Sequence, residues 1–210
     1  MARLWLFDFD GTLVDSEKAI KACYLKVGQE LVPDRCNYIE KMVIGPTLDE
    51  STKKILTNKR LNLVGVFKEK FQALYDDLMI LKTPQYENVE ETLTKIYNLG
   101  DKLCIVTNKR SNPTNKLINY YGWNYLFDWV ACIDDFPEVS NKSELISIKN
   151  INKNSFENIY FVGDTCADGK AAEFHNIPFI KANYGYGSNE NWKKIRVYKK
   201  INNFIEILNI

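Results

Sequence analysis

The sequence predicts an α/β protein whose parallel sheet is interrupted, after its first strand, by a block of helices. Three observations carry this. Short apolar runs recur five times along the chain, amphipathic stretches separate the later ones, and the long segment between the first run and the second has helical periodicity only.

The first run, Leu4-Trp5-Leu6-Phe7, is apolar up to Asp8, the pattern of a strand buried on both faces. Asp10 lies two residues further, so an extended backbone points it the same way, and Gly11 lets the chain turn. Two carboxylates in one small space repel unless a cation or a shared proton neutralises them. The pair therefore implies a divalent metal, two different protonation states, or both.

After Asp15 the period becomes helical, with Ile20, Cys23, Tyr24, Val27 and Leu31 on one face and Pro33 as the stop. Thr47-Leu48-Asp49-Glu50 has the form of a capping box opening a second helix toward Ile55 and Leu56. Phe67, Phe71, Leu74, Tyr75 and Leu78 stripe a third. A right-handed crossover needs one helix and this stretch is far longer, so residues 16–82 are expected to form an inserted helical cap and residues 1–15 with 83–210 the core.

Val89, Leu93, Ile96 and Tyr97 form the core-facing stripe of the next helix, which Gly100 ends. Leu103 to Val106 is the second strand, followed by Thr107-Asn108-Lys109. A helix from Pro113 to Tyr121 stops at Gly122. Strands are expected at 129–133, 159–162 and 178–180, with helices at about 143–150 and 167–175. The alternation describes a Rossmann-like parallel sheet covered on both faces, whose ligands bind at the carboxyl ends of its strands.

Composition narrows the function classes. The 210 residues carry 28 basic and 27 acidic side chains, a net charge of +1, so no global field recruits nucleic acid or an anionic membrane. No apolar run approaches the ~20 residues of a membrane span, and the start is too brief for a secretory signal. Cys23, Cys36, Cys104, Cys132 and Cys166 are odd in number and lack Cys-x-x-Cys spacing, which argues against disulfides or zinc and for a reducing, cytoplasmic setting.

Three predicted strands end in polar residues of different chemistry: Asp8 with Asp10, Thr107 with Asn108, and Asp164 with Asp168 in Gly163-Asp164-Thr165-Cys166-Ala167-Asp168. A parallel sheet brings those ends to one edge, where they supply a nucleophile, a hydroxyl donor and further acids. A phosphoryl group and its metal require that set. Lys142, opening a helix after the third strand, can add a fixed positive charge.

The stretch Asp8-Phe9-Asp10-Gly11-Thr12-Leu13-Val14-Asp15-Ser16 resembles the nucleophile motif of the haloacid dehalogenase superfamily of phosphatases, and the other three motifs follow in order over nearly the whole chain. The resemblance implies that Asp8 is a nucleophile forming an aspartyl-phosphate and Asp10 the general acid and base. It implies that Thr107, Asn108 and Lys142 bind phosphate, that Asp8, Asp164 and the Asp10 carbonyl bind Mg²⁺, and that Asp168 supports the site. Dehalogenases of the superfamily lack the second acid, so Asp10 favours phosphoryl transfer. The cap position matches the subgroup containing phosphoglycolate phosphatases and β-phosphoglucomutases. The expected activity is hydrolysis of a small phosphorylated metabolite; a sugar-phosphate mutase and an inactive phosphate-binding module are the alternatives.

Four local features carry expectations of their own. Ser143 follows Lys142 where many relatives have proline, so Lys109 or Lys116 is the fallback for the motif lysine. His175 is expected as a helix-end cation, and Tyr184-Gly185-Tyr186-Gly187-Ser188 as a loop at the rim of the site. Arg35, Lys41, Lys53 and Lys54 flank the Ile44-Gly45-Pro46-Thr47 loop and would attract a carboxylate-bearing substrate if they face it.

Overall fold

The computed structural model describes residues 1–79 and 82–210. Six parallel strands make the sheet: β1 Leu4–Phe7, β2 Lys102–Thr107, β3 Trp129–Cys132, β4 Ile159–Gly163, β5 Phe179–Ala182 and β6 Lys199–Ile201. Their order is β3-β2-β1-β4-β5-β6, which puts β1 in the middle. Phe7 is level with Ile105 of β2 on one side and Val162 of β4 on the other, so all three strands reach the carboxyl edge together.

Alternation along the strands divides the core. Trp5, Phe7, Leu103, Ile105, Tyr160 and Val162 pack on one face with α5 Val89–Asn98 and α6 Ser111–Tyr120. Leu4, Leu6, Cys104, Val106, Ile159 and Phe161 pack on the other with α7 Lys142–Ile148 and α8 Cys166–Phe174. Successive residues pointing to opposite faces explain why these strands read as continuous apolar runs.

Between β1 and α5 lie α1 Glu17–Leu31, α2 Cys36–Lys41, α3 Leu48–Leu56 and α4 Val64–Leu74, the last continuing as a π-turn over Tyr75–Met79. They share a third apolar cluster that includes Tyr24, Val27, Ile39, Ile55, Phe67 and Phe71. The capping box forms: Thr47 Oγ1 accepts from Glu50 N at 3.2 Å and Glu50 Oε2 from Thr47 N at 3.0 Å. The side chain of Leu78, and residues 80 and 81 within the expected 16–82 span, lie outside the described residues. Among the described residues no helix is long and apolar enough to cross a membrane.

Two elements are absent from the sequence expectation. α2 buries only Ile39, too little for a periodic stripe. β6 is Lys-Lys-Ile, and its strand character comes from pairing with β5, Ile180 level with Lys199. One boundary moves: α6 begins at Ser111 rather than Pro113, because Asp134 Oδ1 accepts the Ser111 N–H at 2.7 Å. Pro113 then sits in the first turn, where its missing N–H costs nothing.

Candidate active site

Asp8, Thr107 and Asp164 stand at the ends of β1, β2 and β4, three neighbouring strands. Oxygens of Asp8, Asp164 and Asp168 lie within 4.8 Å of one another, and all three residues are buried. The approach depends on two glycines. Gly11 takes φ +85, and a Cβ there or at Gly185 would run into the Asp164 side chain.

Lys142 Nζ bridges two of these acids, 2.6 Å from Asp8 Oδ1 and 2.5 Å from Asp168 Oδ1. The other Asp168 oxygen accepts from Thr165 N and Oγ1 at 2.9 and 2.7 Å, which opens α8 and fixes the carboxylate. Asp164 accepts from Tyr186 N at 2.6 Å and Thr12 Oγ1 at 3.4 Å. Burial pushes the Asp8 carboxyl up to about 7 against the pull of Lys142, with Asp168 adding repulsion. Asp164 is pushed well above the usual carboxylate range by burial, then by Asp8 and Asp168. Burial opposes the Lys142 charge, but Asp168 and Asp8 outweigh it and hold its pKa above the usual lysine value.

Three carboxylates against one ammonium leave a surplus of negative charge in a buried, all-oxygen donor set. A hard divalent cation fits such a set and would reverse the upward carboxyl shifts.

Asp10 belongs to a second cluster on the side of the helical unit. Lys109 Nζ donates to both its oxygens, at 3.0 and 3.1 Å, and to Tyr75 Oη at 2.7 Å. Ser16 Oγ donates to Asp10 at 2.6 Å, and Tyr186 Oη accepts the Ser16 N–H at 2.7 Å. Burial disfavours the Lys109 charge; Asp10 and Tyr75 more than restore it. The next residue repeats the pattern, with Arg110 Nη2 2.5 Å from Asp76 Oδ1. Consecutive core residues thus grip consecutive residues of the helical unit.

Several expectations are corrected. Lys109 and Lys116 are not stand-ins for Lys142, since Lys109 lies on Asp10 and Lys116 Nζ donates to the Asp76 carbonyl at 3.2 Å. The Asn108 side-chain amide donates to Gly45 O at 3.1 Å, and its buried Oδ1, an acceptor, has no partner. Thr107 Oγ1 is buried and accepts the Lys109 N–H at 3.1 Å. Residues 184–188 are part of the acid cluster rather than its rim, because Tyr186 N–H holds Asp164. Arg35 caps the end of α3 by donating to Ile55 O at 2.9 Å, and Lys53 pairs with Asp49 at 2.5 Å, so neither is free to attract a substrate. Lys54 lines an outer cleft. His175 ends α8, its Nε2 2.7 Å from Ser143 O.

Two cavities flank the loop at Ile44-Gly45-Pro46. An inner one of about 70 Å³ touches Asp8, Asp10, Thr107, Asn108 and the helical unit. An outer one of about 650 Å³ runs past Asn108, Lys142, Thr165 and Lys54. The contacts of Tyr75 and Asp76 with Lys109 and Arg110 escape sequence reasoning, because each reaches the site from a residue distant in the chain. Lys109 and Arg110 had one signal, their adjacency to Thr107-Asn108.

A parallel sheet with an acid cluster at its carboxyl edge and helices inserted after its first strand defines a hydrolase core of the α/β class. The chain belongs to the haloacid dehalogenase-like hydrolase family, whose family model matches residues 5–182. It is 28% identical over 165 residues to Pyrophosphatase PpaX of Halalkalibacterium halodurans, covering 78% of this chain and 75% of that one. It is 24% identical over 212 residues to a phosphoglycolate phosphatase of Psychrobacter arcticus, covering 96% and 92%. A crystal structure described as a predicted phosphatase from Clostridium acetobutylicum superposes with a TM-score of 0.83, covering 100% of both chains at 22% identity.

Proposed function

We propose that this hydrolase is a Mg²⁺-dependent phosphatase that cleaves a small phosphomonoester through an aspartyl-phosphate on Asp8, in the manner of the phosphoglycolate phosphatase group. The observation that carries the reading is the pairing of two acids from one strand end with opposite surroundings. Asp8 is locked among Lys142, Asp164 and Asp168, whereas Asp10 is held by Lys109 and Ser16, and both line the inner cavity.

The chain's residues divide the work accordingly. An Asp8 oxygen attacks phosphorus as the ester P–O bond breaks, and Asp10 gives its proton to the leaving alcohol. Asp10 then takes a proton from the water that cleaves the acyl phosphate, which regenerates Asp8 and releases phosphate. Lys142 and Thr107 hold phosphoryl oxygens, with Asn108 contributing from its backbone, and Asp168 positions Lys142. Asp8, Asp164 and the Asp10 carbonyl would hold Mg²⁺. When bound, it supplies the positive charge that lets an anionic carboxylate approach an anionic phosphoryl group. The helical unit, residues 16–82, acts as a cap that excludes bulk water.

The mutase alternative shares every one of these residues and differs in whether the phosphoenzyme passes its group to a sugar hydroxyl or to water. An inactive binding module is disfavoured because every motif acid is in place. The five cysteines are free and the net charge is near neutral, which supports a cytoplasmic enzyme acting on a phosphorylated metabolite rather than on nucleic acid. The test is a panel of phosphometabolites with and without Mg²⁺, read as phosphate release and as sugar isomer formation. Metal-dependent phosphate release is expected; isomer formation without net release would establish the mutase, and no turnover the binding module.

A further inference from the structure

Tyr186 is engaged at both of its ends. Its backbone N–H holds Asp164 Oδ2 at 2.6 Å, while its phenol oxygen lies at the start of α1 and accepts from Ser16 N at 2.7 Å and Glu17 N at 3.1 Å. The glycines on either side, Gly185 and Gly187, have no room for a Cβ against Asp164, so the backbone here is seated on that acid. A residue near the end of the chain thereby closes the first turn of the helical unit.

The start of α1 explains what the phenol does. Ser16 stands at the N-cap, where a serine ordinarily takes extended dihedrals and accepts an N–H of the first turn with its own hydroxyl. Here it has φ −95 and ψ −2, and its side chain makes no cap bond. Its buried Oγ donates to Asp10 Oδ1 at 2.6 Å instead. That commits the one proton of the Ser16 hydroxyl, which leaves Tyr186 Oη, 3.3 Å away, as the donor between the two hydroxyls. Val14 O and Asp15 Oδ1, each 3.4 Å from the phenol, compete for the same proton. Asp15 Oδ1 also shares the Glu17 N–H, at 3.3 Å, but the Ser16 N–H goes to Tyr186.

The state of Asp10 follows from its donors. Lys109 donates to both of its oxygens and Ser16 to one, three hydrogen bonds that an ionised carboxylate accepts. This is the base form, the one that takes a proton from water in the second half of the proposed reaction.

We infer, on the phosphatase reading of Asp10, that Tyr186 is a positioning residue for this base form: by capping α1 with its phenol it holds Ser16 in a helical conformation and so turns the Ser16 hydroxyl onto the carboxylate. Its other end, the N–H on Asp164, belongs to the backbone and survives a change of side chain, so the two contributions separate by substitution.

The experiment uses the full chain with Mg²⁺ and acetyl phosphate, whose acetate leaves without a proton, so that Asp10 acts on the water step alone; the fastest ester of the metabolite panel is the second probe. Tyr186→Phe, which keeps the ring and removes the hydroxyl, and Ser16→Ala should each lower kcat about 10- to 100-fold, with KM changed less than about threefold. Because Tyr186 acts through Ser16, the double variant should be within about twofold of Ser16→Ala. Amide hydrogen exchange at positions 16 and 17, followed by NMR without substrate or metal, should be at least about tenfold less protected in Tyr186→Phe and nearly unchanged in Ser16→Ala. Wild-type kcat in either single variant, or effects that multiply in the double variant, overturns the positioning role. Unchanged protection in Tyr186→Phe overturns the capping on which that role depends. Should circular dichroism show Tyr186→Phe unfolded, a wild-type kcat in Ser16→Ala still overturns the assignment. Absence of phosphate release by the wild-type chain from acetyl phosphate and every ester is a different failure: it removes the phosphatase reading and with it the role of Asp10, while the exchange measurement decides the capping by itself.

Discussion

Lys142 and Lys109 are both buried ammonium groups gripped by carboxylates, yet they belong to regions built on different principles. Lys142 sits inside the core between Asp8 and Asp168, with Asp164 adding a third acid, so its cluster keeps a surplus of negative charge. Lys109 joins Asp10 to Tyr75 of the helical unit, and its neighbour Arg110 is balanced by Asp76. The first region is left unbalanced in a way that suits a cation and a phosphoryl group. The second pairs each base with an acid, Lys109 with Asp10 and Arg110 with Asp76. The difference teaches that the same ion pair can prepare a site for charge or close it to charge, according to how many acids surround the base.

Activity should separate the two regions most. Asp8→Asn removes the attacking oxygen and should abolish turnover, whereas Asp10→Asn should lower it by about 10²- to 10⁴-fold, the usual worth of general acid–base help. Mass spectrometry should find phosphate on Asp8 in the Asp10→Asn chain. Equal residual rates in the two variants would erase the distinction.

Stability offers a smaller but independent contrast. Lys142→Met strands Asp8 and Asp168 in a dry interior, a change expected to cost about 3–5 kcal/mol. Lys109→Met leaves Asp10 with the Ser16 hydroxyl and some solvent, its side chain being 13% exposed, and should cost about 1–2 kcal/mol. Urea unfolding without metal measures both. A larger loss for Lys109→Met would mean that the contact with the helical unit, not the acid surplus, dominates.

A third contrast concerns metal and pH. Burial raises Asp8 from 3.8 to about 7 in the metal-free chain. A carboxyl raised on folding stabilises below its unfolded pKa, and that contribution is lost as pH climbs through 7. Mg²⁺ binds the ionised form, so its stabilising effect should grow from pH 5.5 to pH 8. At a hundredfold excess over Kd it should reach about 2.7 kcal/mol, or roughly 5–10 °C in Tm for a chain of this length. A thermal shift independent of pH would show that Asp8 is not among the ligands.

Legibility in the sequence follows the same division. Asp8, Asp164 and Asp168 could be placed because each follows a buried strand within five residues, and parallel strands in register carry such residues to one edge. Lys142 could be ranked above Lys109 only through the motif resemblance, since nothing local distinguishes an ammonium aimed at Asp8 from one aimed at Asp10. Arg35 illustrates the opposite failure. As a basic residue near a loop it invites a substrate, yet its guanidinium closes the carboxyl end of α3 and lies 4.4 Å over the Tyr38 ring. The residues paired with the cations, Tyr75 and Asp76, sit in a π-turn, which the helical stripe through Tyr75 does not reveal.

By itself the sequence determined the architecture and the identity of the acids, because strand burial, helix period and turn residues act over a few positions and leave their pattern in the chain. Only the tertiary structure decided which acid neutralises which base. That outcome depends on distances of a few ångströms between residues such as Asp76 and Arg110, 34 positions apart, and on burial strong enough to make each pairing matter.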